Sequence, residues 1–226
     1  MSGHHQKRAA AGQAGLAGLE LVENGSAAAF AVTTTQNFST SLQEGDLVIV
    51  GISAAGYSGT NNVLSAGWTE IYNAAATNPV LRVFAKQMGA TPDTSFDWQG
   101  GHPSTVKGCM CYSVWRGADT TDWTGGSTLV ATSNTGYGPD PGSHTTTADN
   151  AIRILFGGID DDNITSCTPP TDFTLTDWLN ASGASYGGGS MMAYKLEETA
   201  GALDPPAFAL SHTDACRSVH FSIVPA

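Results

Sequence analysis

An internal echo of short apolar segments runs through this chain, each the length of a β-strand and each bounded by turn residues. The first half reads EGDLVIVGI, AGWTEIYNA, PVLRVFAKQ and CMCYSVWRGA. The second reads ADNAIRILFGG, PTDFTLTDW, SMMAYKLEE and RSVHFSIVPA. Asp46 falls opposite Asn150, Trp68 opposite Phe173 and Lys86 opposite Lys195, with the spacing drifting by only a few residues. Self-similarity of this kind is the mark of one structural unit used twice.

The segments read as strands from their own patterns. Leu47–Ile52 is a nearly continuous apolar run after Gly45 and Asp46, as a core strand would be. Leu81, Val83 and Ala85 alternate with Arg82, Phe84 and Lys86, and Val219, Phe221 and Ile223 alternate with Ser218, His220 and Ser222, the period of a strand with one buried face. Further strand signals lie at Trp68–Tyr72, Cys109–Trp115, Ala151–Phe156, Phe173–Trp178, Ser190–Leu196 and Phe208–Leu210. Twenty-seven glycines and few charges, with many Thr, Ser and Asn residues, fit strands and tight turns better than helices. The expected fold is therefore an all-β, antiparallel β-sandwich, jelly-roll-like, in which two similar halves at about 40–117 and 145–226 interleave around one core. Two separate sandwiches of roughly 100 residues each are the alternative. A single domain over 26–226 is favoured because the junction Gly117–Thr147 carries Trp123, Leu129 and Tyr137, which a plain linker would not. Residues 1–25 read as an extended N-terminal arm without a helix cap or apolar periodicity.

Charge narrows the partners. A net charge of −11 would repel a phosphate backbone, so neither nucleic acid nor an anionic membrane is expected as a partner. Lys7 and Arg8 lie in an acid-free stretch of the arm, and with Leu16 and Leu19 they form a candidate docking element. Gly12, Gly15 and Gly18 interrupt any signal-peptide core, and no run reaches the about 18 apolar residues of a spanning helix. The product is expected to be made and kept in the cytosol of the producing cell, or released by lysis. Cys109 and Cys111 would share one strand face roughly 6.5–7 Å apart, too far for an unstrained bridge, so the four cysteines are read as free core thiols. The Asn-x-Ser/Thr sequons at Asn24, Asn37, Asn163 and Asn180 are expected to stay unmodified.

The segments GDLVIVGISAAG, SAGWTEIYN, LRVFAKQMGATPDTSFDW and CMCYSVWRGAD, then TPPTDFTLTDW, AYKLEETAGALDPPAFAL and RSVHFSIVPA, resemble a widespread group of sandwich proteins found among phage and prophage structural genes. That group shows a Gly-Asp-Leu strand, a Pro/Ala-Gly-Trp-Thr turn, a strand ending in Lys and an aromatic-Arg-Gly strand end, here Trp115-Arg116-Gly117. The resemblance covers residues 40–226. It implies a virion structural protein of a tailed phage, such as a capsid decoration or tail-appendage subunit, and it carries over no catalytic residues. Its expected partners are other virion proteins, capsid or tail subunits, with the chain itself a homo-oligomer.

Gly183-Ala184-Ser185-Tyr186-Gly187 matches a nucleophile elbow, and Asp204 and His212 follow in hydrolase order. Its Gly/Ser surroundings, however, lack the strand-to-helix turn that holds such a serine, so no enzyme is expected. Asp160, Asp161 and Asp162 could offer oxygens to Ca²⁺, against the plainer reading of a solvated turn. No metal and no cofactor is assigned. His4, His5, His102, His144, His212 and His220 lack zinc spacing and are expected at the surface or rim, His220 on the outward face of the last strand. Trp123 and Tyr137, in the long junction, are the candidate contacts for a host glycan, since a pyranose ring presents an apolar face to an aromatic. A carbohydrate-binding module is thus the alternative to a purely structural role.

Overall fold

The computed structural model describes residues 18–29, 33–55, 61–74, 78–102, 106–161, 163–181 and 187–226. Nine strands come from the first half: β1 (Glu20–Ala29), β2 (Thr34–Asn37), β3 (Leu47–Ala54), β4 (Asn62–Val63), β5 (Thr69–Ala74), β6 (Val80–Gln87), β7 (Ser95–Gln99), β8 (Gly101–His102) and β9 (Val106–Arg116). Nine more come from the second: β10 (Val130–Gly136), β11 (His144–Thr146), β12 (Ala151–Ile159), β13 (Cys167–Thr168), β14 (Thr174–Ala181), β15 (Gly188–Glu197), β16 (Gly201–Leu203), β17 (Ala209–Leu210) and β18 (Asp214–Ile223). All pairings are antiparallel. The chain is an all-β sandwich.

The echo in the sequence is reproduced strand for strand. One large sheet has the order β1-β9-β3-β6-β5 and the other β10-β18-β12-β15-β14, the same order with each strand replaced by its repeat. A bulge recurs at the matching point, between Glu70 and Tyr72 in β5 and between Leu175 and Asp177 in β14. A small sheet, β2-β7-β4, belongs to the first half, and its counterparts β11-β16 and β13-β17 belong to the second. The interleaving expected between the halves therefore occurs within each half, whose strands pass back and forth between a large and a small sheet. The halves then meet through their large sheets. The molecule is two such units back to back, sharing the interior between their large sheets.

Four layers result, and they explain why β3 and β12 are buried along their whole length. Between the large sheets lie Leu47, Ile49, Leu81, Val83, Trp115, Ile152, Ile154, Phe156, Tyr194, Val219, Phe221 and Ile223. On the outer side of the first large sheet, Val48, Val50, Ile52, Phe84, Met110 and Tyr112 pack with Phe96 and Trp98 of β7. On the outer side of the second, Leu155, Ile159, Met191 and Ala193 pack with Phe173, Phe208 and Leu210. At the centre, Gly51 of β3 leaves the hole that Phe156 of β12 fills. A Cβ at Gly51 would stand 2.1 Å from the ring, so only glycine fits.

The N-terminal boundary differs from the expected arm over 1–25. Residues from Glu20 form β1, paired to β9 from Glu20↔Arg116 to Ala29↔Gly108. Leu19 is 3% exposed and belongs to the inter-sheet core, so burial of its apolar side chain takes it out of the docking element. Lys7, Arg8 and Leu16 lie outside the described residues.

The motifs behind the resemblance turn out to touch one another. Asp46 of Gly-Asp-Leu, 1% exposed, receives both Nε and Nη2 of Arg116 at 2.9 Å. It also accepts the Gln43 amide at 2.8 Å. This carboxylate holds the Arg116 guanidinium above its usual pKa, against the opposing effect of its partial burial. Lys86, the lysine that ends its strand, donates to Ala66 O at 3.0 Å in the Ala-Gly-Trp turn and to Asp93 at 2.6 Å. Gly117 has φ 84° and its missing Cβ would lie 1.7 Å from Gly18 O, so this glycine admits the chain entering β1. Arg116→Met, which leaves Asp46 buried without its fork of donors, is expected to destabilise the fold by about 2 kcal/mol in urea unfolding at pH 7.

Candidate functional site

The two large sheets do not close equally along their edges. β1 lies against β14, β9 against β14 and β15, β3 against β15 and β12, and β6 against β12 and β18. The repeat relation would bring β5 onto β10 as β1 meets β14, but β5 does not close onto β10 in that way. Side-chain size accounts for the difference. The inward residues of β9 include Cys109, Cys111 and Ser113; at the matching ladder positions β18 carries Arg217, Val219 and Phe221. The small set lets backbones approach, with the Cys109 thiol 3.0 Å from Gly188 O and the Cys111 thiol 3.5 Å from Ser190 O. At the same edge Asn24 Nδ2 donates to Thr176 O at 2.7 Å. The large set holds the opposite edges apart.

The open edge is a wedge-shaped groove. One end is a cavity of about 250 Å³ lined by Ile71, Trp123, Leu129 and Phe221, with Thr124, Ser127 and Ser222 supplying hydroxyls. The Trp123 ring meets Phe221 edge-on, centroids 6.2 Å apart at 74°. Its loop is fixed: Asp119 Oδ1 accepts the amides of Thr121 at 2.6 Å and Asp122 at 3.1 Å. Trp123 O accepts the Val224 amide at 2.8 Å. Further along, Arg217 reaches across from β18 and donates through Nη1 to Tyr72 Oη of β5 at 3.5 Å, while its Nε is buried without a partner. The outer wall is β10. Its inward residues Ala131, Ser133 and Thr135, opposite Val219, Arg217 and Ala215, are all exposed.

Of the two residues expected to contact a glycan, only Trp123 lines this groove. Tyr137 is 67% exposed past the far end of β10, and the seven residues of that strand put it roughly 20 Å away by strand rise. It stands nearer an open depression of about 530 Å³ lined by Thr132, Asp140, Gly142, Ser143 and Asp204–Ala207.

The described residues of the acidic turn have local partners. Asp160 is hydrogen-bonded by Asn78 Nδ2, and burial, with Asp214 and Asp161 nearby, raises its carboxyl pKa. Asp161 accepts the Asn163 amide at 2.6 Å and sits 3.5 Å from His212 Nδ1, whereas Asp162 lies outside the described residues. Among the described residues no group of three His, Cys, Asp or Glu is arranged to hold a metal ion. Ser185 also lies outside the described residues. Asp204 lines the open depression, and His212 faces Asp161.

His144 and His220 depart from the surface or rim placement expected of the histidines, whereas His212 is exposed. His220 does point away from the inter-sheet core, but that face is covered, and His220 and His144 are 0% and 1% exposed. Their rings stack with centroids 4.7 Å apart. Beside them is Arg153, itself 1% exposed, which donates to His144 O at 3.0 Å, Gly201 O at 2.6 Å and Glu197 at 2.7 Å. His220 Nδ1 lies 3.0 Å from Gly142 O. Burial, then the neighbouring guanidinium, pulls the His144 pKa down to about 4. Burial, opposed by Gly142 O and reinforced by His144 and Arg153, pulls that of His220 to about 3.

The first half solves the same problem with the opposite charge. Glu23, 7% exposed, accepts the amides of Ser39 at 2.9 Å and Thr40 at 2.8 Å and the Tyr112 hydroxyl at 2.6 Å. Burial raises the pKa of this carboxyl, but those hydrogen bonds outweigh it and leave it below the usual value. Tyr112 and His220 occupy equivalent ladder positions. In each half one buried ion ties the segment that includes or follows the second strand to the outer face of the large sheet. Neither cluster was singled out from sequence; the one available signal was Arg153 within the apolar run AIRILF, a charge where a two-face-buried strand has no room for an unpaired one.

No family model, no curated protein and no solved structure matches this chain.

Proposed function

We propose that this protein is a non-enzymatic virion structural subunit of a tailed phage, of the capsid decoration or tail-appendage type, attached through the residues that precede β1. The observation that carries the reading is the four-layer build: the central strands of both large sheets are covered on both faces, so the chain's apolar residues go into stiffness. The polar groups buried in the two outer clusters are engaged in holding strands in place. Two structural features support attachment at one pole. Gly18, where the described chain begins, packs on Pro225, and Ala118 bridges Pro225, so both ends of the sandwich lie together. An acidic body with a basic leading segment can present that segment to an acidic neighbour while its own surface stays repulsive. Copies arranged by the symmetry of the particle make the chain a homo-oligomer.

Deleting residues 1–17, which leaves Leu19 and β1 in place, is expected to abolish incorporation into particles while leaving the melting transition of the sandwich unchanged. Mass spectrometry of particles purified with and without the deletion reads the result. Full incorporation of the shortened chain, or absence of the intact chain from particles, would overturn the proposal.

A further inference from the structure

We propose that the groove between β5 and β10 binds a carboxylated oligosaccharide, with one sugar face on the apolar end at Trp123 and the carboxylate on Arg217. The inference does not depend on the particle reading. Three observations carry it.

The first is an imbalance of charge at one residue. Of the four described arginines, Arg82, Arg116 and Arg153 each hold a carboxylate, those of Glu70, Asp46 and Glu197. Among the described residues Arg217 holds none, and its contacts there are a long hydrogen bond to Tyr72 and a buried Nε without a partner. A guanidinium kept between two sheets with donors to spare is matched by an anion that can accept two of them, and a carboxylate does so in plane.

The second is the character of the walls. Arg217 and Phe221 lie four residues apart on the same face of β18, about 13 Å by strand rise, which is longer than one sugar ring. At the Phe221 end, Trp123, Ile71 and Leu129 give an apolar seat. Between the two ends the β10 wall offers the small exposed side chain of Ala131, opposite Val219, and the exposed hydroxyls of Ser133 and Thr135 stand opposite Arg217 and one step beyond it. A peptide in this groove would place side chains of mixed size against a wall of small residues whose hydroxyls gather at the Arg217 end, whereas a sugar chain presents an apolar face where rings stack and hydroxyls beside its carboxylate. A strand added to the free edge of β10 would run beside the sheet and touch neither Arg217 nor Trp123.

The third is that the opening is specific to this edge. The repeat-equivalent edge is closed by Cys109, Cys111 and Ser113, so the substitution of Arg217, Val219 and Phe221 at those ladder positions both opens the wedge and furnishes it.

The test is binding of the full chain to an array of neutral, uronate-bearing and sialylated glycans, followed by solution titration with the best carboxylated oligosaccharide and with its carboxyl-reduced form. Binding confined to carboxylated glycans is expected. Arg217→Gln and Trp123→Ala should each weaken it about tenfold or more, and carboxyl reduction should do the same. Ser133→Glu, at an exposed position directly opposite Arg217, should abolish binding by supplying an internal carboxylate while leaving the melting temperature unchanged, which keeps the test independent of folding. Binding to neutral glycans that survives Arg217→Gln, or binding to a peptide strand in place of any glycan, would overturn the proposal. Silence across the whole array would do so as well.

Discussion

Lowering the pH from 7 to 4 is expected to remove on the order of 5 kcal/mol of folding stability, and most of that loss should trace to His144 and His220. Both histidines have a folded-state pKa below the ordinary 6.5, about 4 for His144 and about 3 for His220. The unfolded chain therefore takes up their protons first. Stability is fully present above pH 6.5, falls as the pH drops below it, and levels off only below about 3. Each unit of depression corresponds to about 1.4 kcal/mol, so the pair outweighs any single surface interaction in the molecule. The structural cause is burial first: protonating either ring charges a group shut away from water, and it then puts a second cation beside Arg153, in a cluster where Glu197 is the paired carboxylate. Urea unfolding at pH 7, 5.5 and 4 measures the slope. The double variant His144→Phe/His220→Phe should flatten it between pH 6.5 and 4.5, above the range in which ordinary carboxylates titrate. An unchanged slope in that variant would show that the acid response lies elsewhere.

Phe156→Ala is expected to destabilise the protein by about 3–5 kcal/mol, a large share of what a domain of this kind has to lose. Phe156 is fully buried between the sheets, and its ring occupies the space above Gly51, so truncation opens a cavity that neither rigid sheet can collapse into. Gly51→Ala pushes from the other side and should cost about 1–3 kcal/mol, since its Cβ would stand within the ring's contact distance. The two changes touch the same space. The double variant should therefore be more stable than the sum of the single effects predicts, by about 1–2 kcal/mol, because the new methyl enters the vacated volume.

How much of this was readable beforehand follows from how each strand is used. β3, β6, β12, β15 and β18 were legible because both their faces, or one whole face, are apolar, and the echo between the halves followed from them. Which strands share a sheet was not legible, because periodicity fixes the face of a residue but not its neighbour across the ladder. That is why interleaving between the halves was expected where interleaving within each half occurs. β1 was missed because ELVENGSAAA carries Glu23 and Asn24 where an apolar pattern would run. Glu23 is buried as an anchor, and Asn24 bonds to the opposite sheet. β10 was missed for a reason that bears on function. Its sequence, VATSNTG, has no apolar face because the face that would have met the other sheet lines an open groove. Trp123 was singled out, and it does line that groove. Arg217 was not, since one arginine in a strand gives no sign that it will lack an acid.

The account stands on the two halves sharing one interior through the contact of Gly51 with Phe156, and the most direct test follows the thermal unfolding of Phe156→Ala separately in each half. Hydrogen exchange of the β3 and β12 amides during the transition reports the first and second halves in turn. A residue of the second half should lower the stability of both, with β3 and β12 losing protection together in one transition at a reduced temperature. Loss of protection in β12 alone, with β3 unfolding at the temperature of the unsubstituted protein, would mean two independent sandwiches and would contradict the account.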